Sequence, residues 1–207
     1  LSWPRIAEGL ARVSPLAGRT RLLDGRSGSR LLDDAYDATV ESALSAIETL
    51  RDLPASRRVV VLGDISHLGS QSEASHRQIG ERCARVADSL WCLGELASVA
   101  ADGARSEGMA ASEVHVAYTA HDVVAGLAPT LGPGHLVLLK GSAESRLERI
   151  AAELLALPAT AHAVLPRQHR GWQSVRLQAL GRPTWVEIDL AAVAHNVRAI
   201  ADRVEPA

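Results

Sequence analysis

The 207 residues are enough to bury a core, and a formal charge of −2 leaves no overall field that would draw nucleic acid or an anionic membrane surface. Aromatic residues make up 3% with no Phe, so Ala, Leu and Val must build the interior, which suits helices packed closely on a sheet. No run of about 18 apolar residues marks a membrane span, no signal peptide is visible, and Cys83 and Cys92 fit no metal spacing, so two reduced, buried thiols in a cytoplasmic protein are expected.

The chain opens on Leu1 without an initiator Met and reads as an internal piece of a longer protein. Residues 21–23 and 30–32, joined through Asp24-Gly25, read as a β-hairpin. Val40, Leu44, Ile47 and Leu50 then share one helical face. Residues 58–62 form a short apolar, β-branched run, which predicts a buried strand. Ser70-Gln71-Ser72-Glu73 has the pattern of a capping box opening the next helix, whose stripe is Ile79, Cys83, Val86 and Leu90. Strands are predicted at 89–93, 114–118 and 135–139, and helices at 96–107, 119–127 and 142–157, the last closed by Pro158.

Strands alternating with helices imply βαβ units. The expected fold is a Rossmann-like three-layer α/β domain with a mostly parallel sheet and a β-hairpin near its start. Residues 1–157 form this domain, and 158–181 read as a linker with a partly ordered stretch at 175–180. Residues 182–207 hold one strand and one helix, too little for a domain.

Three predicted strands end in polar groups, and ligands of open α/β sheets bind beyond the carboxyl ends of strands. The run Asp33-Asp34-Ala35-Tyr36-Asp37 puts three carboxylates and a ring where a strand gives way to a helix. Asp34 can accept two ribose hydroxyls and Tyr36 can pack on a purine. Equally, Asp33 or Asp34 can simply cap the helix opening near Thr39. Arg19, after Gly18, can clamp a phosphate or be one Arg among many. Gly63-Asp64 ends another strand, and Lys140-Gly141-Ser142 joins a strand to a helix start. There an ammonium and free N–H groups would suit an anion, unless Ser142 is only a cap. His67 and His76 have no third metal ligand spaced to join them and read as surface or capping residues. No Gly-x-x-x-x-Gly-Lys-Ser/Thr loop, Gly-x-Gly-x-x-Gly loop or Gly-x-Ser-x-Gly elbow is present, and no nucleophile–base pair stands out, so no residue is assigned as catalytic.

In order and spacing, Gly18-Arg19, Asp33 to Ala38, Val61 to Asp64, Leu68-Gly69, Ser72 to His76, Ile79-Gly80 and Leu139 to Ser142 resemble the C-terminal domain of Mur ligases over roughly residues 1–157. The nearest branch is the one that adds D-alanyl-D-alanine to UDP-N-acetylmuramoyl tripeptide in peptidoglycan synthesis. The resemblance implies an ATP-dependent ligase in which ATP phosphorylates a carboxylate and an amine attacks the acyl phosphate. It places Arg19, Asp34, Tyr36 and Asp37 beside the nucleotide, and Asp64, Lys140, Gly141 and Ser142 on the amino-substrate side, with no metal ligand in this chain. ATP and Mg would be held mainly by a central domain, so N-terminal and central ligase domains are the implied partners. Departures from the family pattern are Asp37 and Thr39 for two Asn, His67 for Glu, and Ala143 for Arg. A folylpolyglutamate synthetase-like ligase, or a non-catalytic α/β binding or interdomain module, are the alternatives.

The tail, Arg182-Pro183-Thr184-Trp185-Val186-Glu187-Ile188-Asp189-Leu190 with His195-Asn196, is similar to the opening of alanine racemase, a TIM-barrel family that uses pyridoxal phosphate. No lysine follows Lys140, so the Schiff base with that cofactor would form beyond Ala207. The two resemblances together imply part of a ligase–racemase fusion, inactive in either reaction as this chain alone.

Overall fold

The computed structural model describes residues 2–168, 175–178, 185–188 and 190–201. They fall in two units, Leu1–Pro166 and Arg167–Ala207. The first opens on helix α1 (Trp3–Ala11), which the sequence reading did not anticipate and which buries none of its residues. There follow β1 (Arg21–Asp24), β2 (Arg30–Asp34), α2 (Val40–Asp52), β3 (Arg57–Gly63), α3 (Ser72–Ala84), β4 (Ser89–Leu93) and α4 (Ala97–Ser106). Then come β5 (Val114–Ala117), α5 (Ala120–Leu127), β6 (His135–Lys140), α6 (Glu148–Leu154) and the one-turn α7 (Ala161–Val164).

Six strands form one mixed sheet in the order β1-β2-β6-β3-β4-β5. The β1/β2 hairpin is antiparallel, with Arg21 opposite Asp33, and every other neighbouring pair is parallel. Strand alternation divides the interior in two. On one face Leu32, Val60, Leu62 and Leu138 meet Ile47 and Leu50 of α2, Ile79 and Cys83 of α3, and Ala100 and Ala104 of α4. On the other, Leu31, Val61, Val137 and Leu139 meet Val123 and Leu127 of α5 and Ile150 and Leu154 of α6. The expected three-layer α/β architecture with its hairpin is the observed one. Cys83 and Cys92 are buried free thiols, and burial pushes both well above the usual thiol range.

The insertion of β6 between β2 and β3 matters for any site. The chain leaves β2 and β3 into α2 and α3 on one face, and leaves β6 into α6 on the other. Strand order thus reverses on both sides of β6, which opens a crevice at its carboxyl end.

Three local expectations are corrected. The helix predicted from 142 breaks at Arg146, whose φ is +52°, and only Glu148–Leu154 is α-helical. The cause is tertiary: Ser145 Oγ donates to Asp64 O at 3.2 Å, holding that turn against the end of β3. The capping box at 70–73 does not form, because a 3-10 turn at Gly69–Gln71 runs into α3 and the Ser72 N–H already donates to Gly69 O. The packing of the first unit also continues past 157: Leu165 is buried and Arg21 Nη1 donates to Val164 O at 3.3 Å.

Neither Asp33 nor Asp34 caps α2. Thr39 does: its Oγ1 accepts the Ser42 N–H at 3.2 Å, and Ser42 Oγ accepts the Thr39 N–H at 2.9 Å. Thr39→Ala should therefore lower stability by about 1 kcal/mol, read as a shift in the urea midpoint.

In the second unit β7 (Val175–Gln178) pairs antiparallel with β8 (Trp185–Ile188), and α8 (Leu190–Ala201) follows. A strand and a helix were expected in this region. The hairpin partner β7 falls in what was read as linker. Arg182, Pro183, Thr184 and Asp189 of the tail motif, and residues 179–180 of the stretch read as partly ordered, lie outside the described residues.

Candidate functional site

At the carboxyl end of the β2/β6 pair, Asp34 stands opposite Lys140 in register. Residue parity places both side chains on the α2 face. Asp34 Oδ2 is 3.0 Å from Lys140 Nζ, and Oδ1 accepts from the Thr20 N–H at 2.9 Å and from Thr20 Oγ1 at 3.2 Å. The ammonium also donates to Asp34 O at 3.3 Å and Asp37 O at 2.5 Å. Lys140 is only 2% exposed, so its charge is turned inward. The free ammonium expected at an anion site on the amino-substrate side is instead spent on the 34–37 turn.

The segment 18–20 closes over that turn. Gly18 has φ +72° and its carbonyl accepts the Tyr36 N–H at 2.9 Å. A Cβ at Gly18 would lie 3.0 Å from Tyr36 N, so the close approach and the left-handed backbone both call for glycine. The next residue, Arg19, lays its guanidinium 4.2 Å from the centre of the Tyr36 ring, a cation–π contact. Tyr36 is 42% exposed, and Asp37 is exposed, with Oδ1 accepting the Ala38 N–H at 2.8 Å. A groove of about 350 Å³ opens here, lined by Arg19, Thr20, Asp34, Asp37, Thr39 and Ser42 among others. Thr39 was noted only as a departure from a family Asn near the start of α2, and Thr20 and Ser42 were not picked out from the sequence. Nothing in it separates these hydroxyls from the chain's other Ser and Thr residues.

Asp33 points to the opposite face, fully buried. Its Oδ1 accepts the Ala35 N–H at 3.3 Å, and its Oδ2 has no hydrogen-bond partner among the described residues. Burial, reinforced by the neighbouring Asp34 and Glu148 charges and opposed by backbone N–H donors, raises its pKa to about 6.

Across β6, the second group of predicted residues is arranged differently. The Asp64 carboxylate accepts the N–H groups of Glu95 at 2.7 Å and Leu96 at 3.1 Å, and so anchors the loop entering α4. Gly94 beside it has φ +129°, and a Cβ there would lie 2.4 Å from that carboxylate. Gly141 passes close to β3: a Cβ on it would sit 3.0 Å from Gly63 Cα. Ser142 does not cap a helix; its Oγ accepts the Ser66 N–H at 2.9 Å and donates to Ala38 O at 3.4 Å. It ties the 34–38 turn to the turn after β3.

His76 is neither a surface nor a capping residue. It is 1% exposed, with Nε2 accepting the Ile65 N–H at 3.0 Å and Nδ1 donating to Ser72 O at 2.7 Å. Those two bonds define the neutral Nδ1–H tautomer, so the 3.9 Å approach of Nε2 to Asp64 Oδ1 is not an ion pair. His67 is exposed, with φ +64°, and lies 3.9 Å from Glu144. Among the described residues no three His, Cys, Asp or Glu side chains converge as a metal set, and no helix is long and apolar enough to cross a membrane.

The strand ends therefore place Arg19, Asp34 and Asp37 together around one groove, with Lys140 beneath it and the Tyr36 ring against Arg19. Asp64, Gly141 and Ser142 line the adjoining β6/β3 edge.

Residues 18–143 match the family model for the Mur ligase, glutamate ligase domain. Over 157 residues the chain is 30% identical to the UDP-N-acetylmuramoyl-tripeptide–D-alanyl-D-alanine ligase of Synechocystis, covering 75% of this chain and 34% of that one. It is 41% identical over 76 residues to the Escherichia coli ligase of the same name, covering 37% of this chain and 17% of that one. The chain thus spans at most about a third of the length of these curated relatives. A crystal structure of MurF from Acinetobacter baumannii superposes with a TM-score of 0.62 at 26% identity, covering 74% of this chain and 34% of the other. MurF ligase from Thermotoga maritima in complex with ADP shares the fold, with a TM-score of 0.57 at 23% identity over 74% of this chain and 33% of that one. The match covers more than half of the chain, and the six-stranded mixed sheet is the architecture of the MurF C-terminal domain: this chain belongs to the Mur ligase family.

Proposed function

We propose that this chain supplies the C-terminal domain of an ATP-dependent ligase that joins D-alanyl-D-alanine to UDP-N-acetylmuramoyl tripeptide in the cytoplasm. The relatives named above carry that activity in their names. The observation that carries the nucleotide part of the reading is Asp34 at a switch point, lining a polar groove beside Arg19 and Tyr36. Among the described residues Asp34 Oδ2 is paired with Lys140, which leaves a lone pair for a ribose hydroxyl. Arg19 offers a guanidinium to phosphate oxygens, and Tyr36 the rim of its ring to the nucleotide. Asp37, which would only accept where an Asn could also donate, sits at the edge of the same groove. Asp64, Gly141 and Ser142 border the amino-substrate side. The groove presents one flank of a nucleotide site, and the central ligase domain supplies the other, with most of the Mg contacts. Catalysis by this domain is positioning and charge neutralisation of an acyl phosphate and an incoming amine.

In the complete ligase, Asp34→Asn and Arg19→Ala should each raise the KM for ATP by about 10-fold, the loss of one charge-assisted hydrogen bond. Unchanged ATP KM values in both variants would overturn the assignment. For the second unit, the similarity of residues 182–190 and 195–196 to alanine racemase supports a proposal that a pyridoxal phosphate barrel follows. The order of β8 and α8 suits it. Absorbance of bound cofactor in the longer protein tests that proposal.

A further inference from the structure

Of the 22 Lys and Arg residues in the chain, Lys140 is the only lysine. It is also the most deeply buried of the basic groups placed at either flank of the site, at 2% exposure. From one atom its ammonium reaches the Asp34 carboxylate at 3.0 Å, Asp34 O at 3.3 Å and Asp37 O at 2.5 Å. That is the full complement of three donors on an ammonium, satisfied by three oxygens of one turn. A guanidinium spreads its donors across a rigid planar fork and does not converge on one point in this way. The alternation of β6 puts Leu136, Leu138 and Lys140 on the α2 face, and the bonds to Asp34 and Asp37 turn the ammonium toward the groove and away from the turn after β3. Ser142, two residues on, makes the contact with Ser66 on that other side.

We propose that Lys140 is a positioning residue for the nucleotide half-site. Its ammonium holds the Asp34 carboxylate and the 34–37 turn in place and takes no part in binding the amino substrate. The proposal rests on the assignment of the Asp34 groove to ATP. The physical argument is pre-organisation. Without the ammonium, two backbone carbonyls and a carboxylate converge on one point with no donor, and the turn must open to solvate them.

Steady-state kinetics of the complete ligase separates the possibilities. Lys140→Met should raise the KM for ATP by about 10-fold and leave the KM for D-alanyl-D-alanine within about 2-fold of the parent. Lys140→Arg should not restore the ATP KM, because the requirement is for a point donor. A raised KM for the dipeptide with an unchanged KM for ATP would overturn the proposal, and so would full rescue by Arg. Amide hydrogen exchange needs no nucleotide and keeps the test independent of the ATP assignment. In Lys140→Met, exchange should quicken at Tyr36 and Ala38 and stay unchanged at Ser66; unchanged exchange at all three would overturn it. If Asp34→Asn and Arg19→Ala both leave the ATP KM unaltered while exchange at the turn responds to Lys140→Met, the ATP assignment fails and the structural role of Lys140 stands.

Discussion

Replacing Gly80 with alanine should lower the unfolding free energy of this domain by about 2 kcal/mol, although alanine is the better helix former. A Cβ on Gly80 would lie 1.9 Å from the Ala100 carbonyl oxygen and 2.8 Å from its carbon. Its counterpart Gly103, on α4, would meet Arg77 O at 2.3 Å. Helices α3 and α4 therefore touch backbone to backbone, with Ala97, Ala100, Ala101 and Ala104 lining the contact and the sheet. A rotamer change cannot relieve a clash with a backbone carbonyl, so the helices must separate. The gain in helix propensity, about 1 kcal/mol, is smaller than the overpacking penalty of about 3 kcal/mol. The strain also reaches the site, because α4 begins at the Glu95 and Leu96 N–H groups that Asp64 holds. Urea unfolding followed by circular dichroism measures the loss. Gly9→Ala on α1 is the internal contrast: a Cβ there meets nothing within 4 Å, so the same substitution should leave stability equal or slightly higher.

Asp33→Asn should become progressively more stabilising relative to the parent as pH rises from 4 to 7. The sign follows from linkage. The Asp33 pKa is raised from 3.8 to about 6 on folding, with burial the largest cause. The unfolded chain therefore releases this proton at a lower pH than the folded chain does. Stability from this group is fully present below pH 3.8 and is lost as pH climbs through about 6. Carried to pH 7, that difference corresponds to about 3 kcal/mol. Asparagine keeps an oxygen for the Ala35 N–H and removes the ionisation beside Asp34 and Glu148. Urea midpoints of both proteins at pH 4 and pH 7 read the effect. A difference that stays constant or shrinks with pH would show that the Asp33 carboxylate is accommodated ionised.

The layers of this domain were legible in the chain because burial imposes periodicity. Residues 59–62 and 136–139 are uninterrupted apolar runs, and both lie in strands covered on both faces. Val40, Leu44, Ile47 and Leu50 repeat at helical spacing, and they pack on the sheet, though the deepest positions of α2 also include Ala43 and Ala46. The run Asp33 to Asp37 stood out because charge at the end of an apolar strand has few purposes. Helix α1 was not anticipated, and none of its residues is buried.

The sequence by itself determined which segments become strands and helices, since that depends on neighbours three or four residues away. It also put carboxylates, an arginine and a lysine at strand ends. Only the tertiary structure decided what those groups touch. The pairing of β2 with β6 sets Asp34 against Lys140 across 106 residues of chain. That one register turned an ammonium expected at an anion site into the anchor of the 34–37 turn. Ser142 and His76 changed meaning for the same reason: a cap or a surface histidine became a tie between loops once distant backbone groups arrived beside them. A buried donor or acceptor takes whatever partner the packing brings, and strand order, which local periodicity does not encode, chooses that partner.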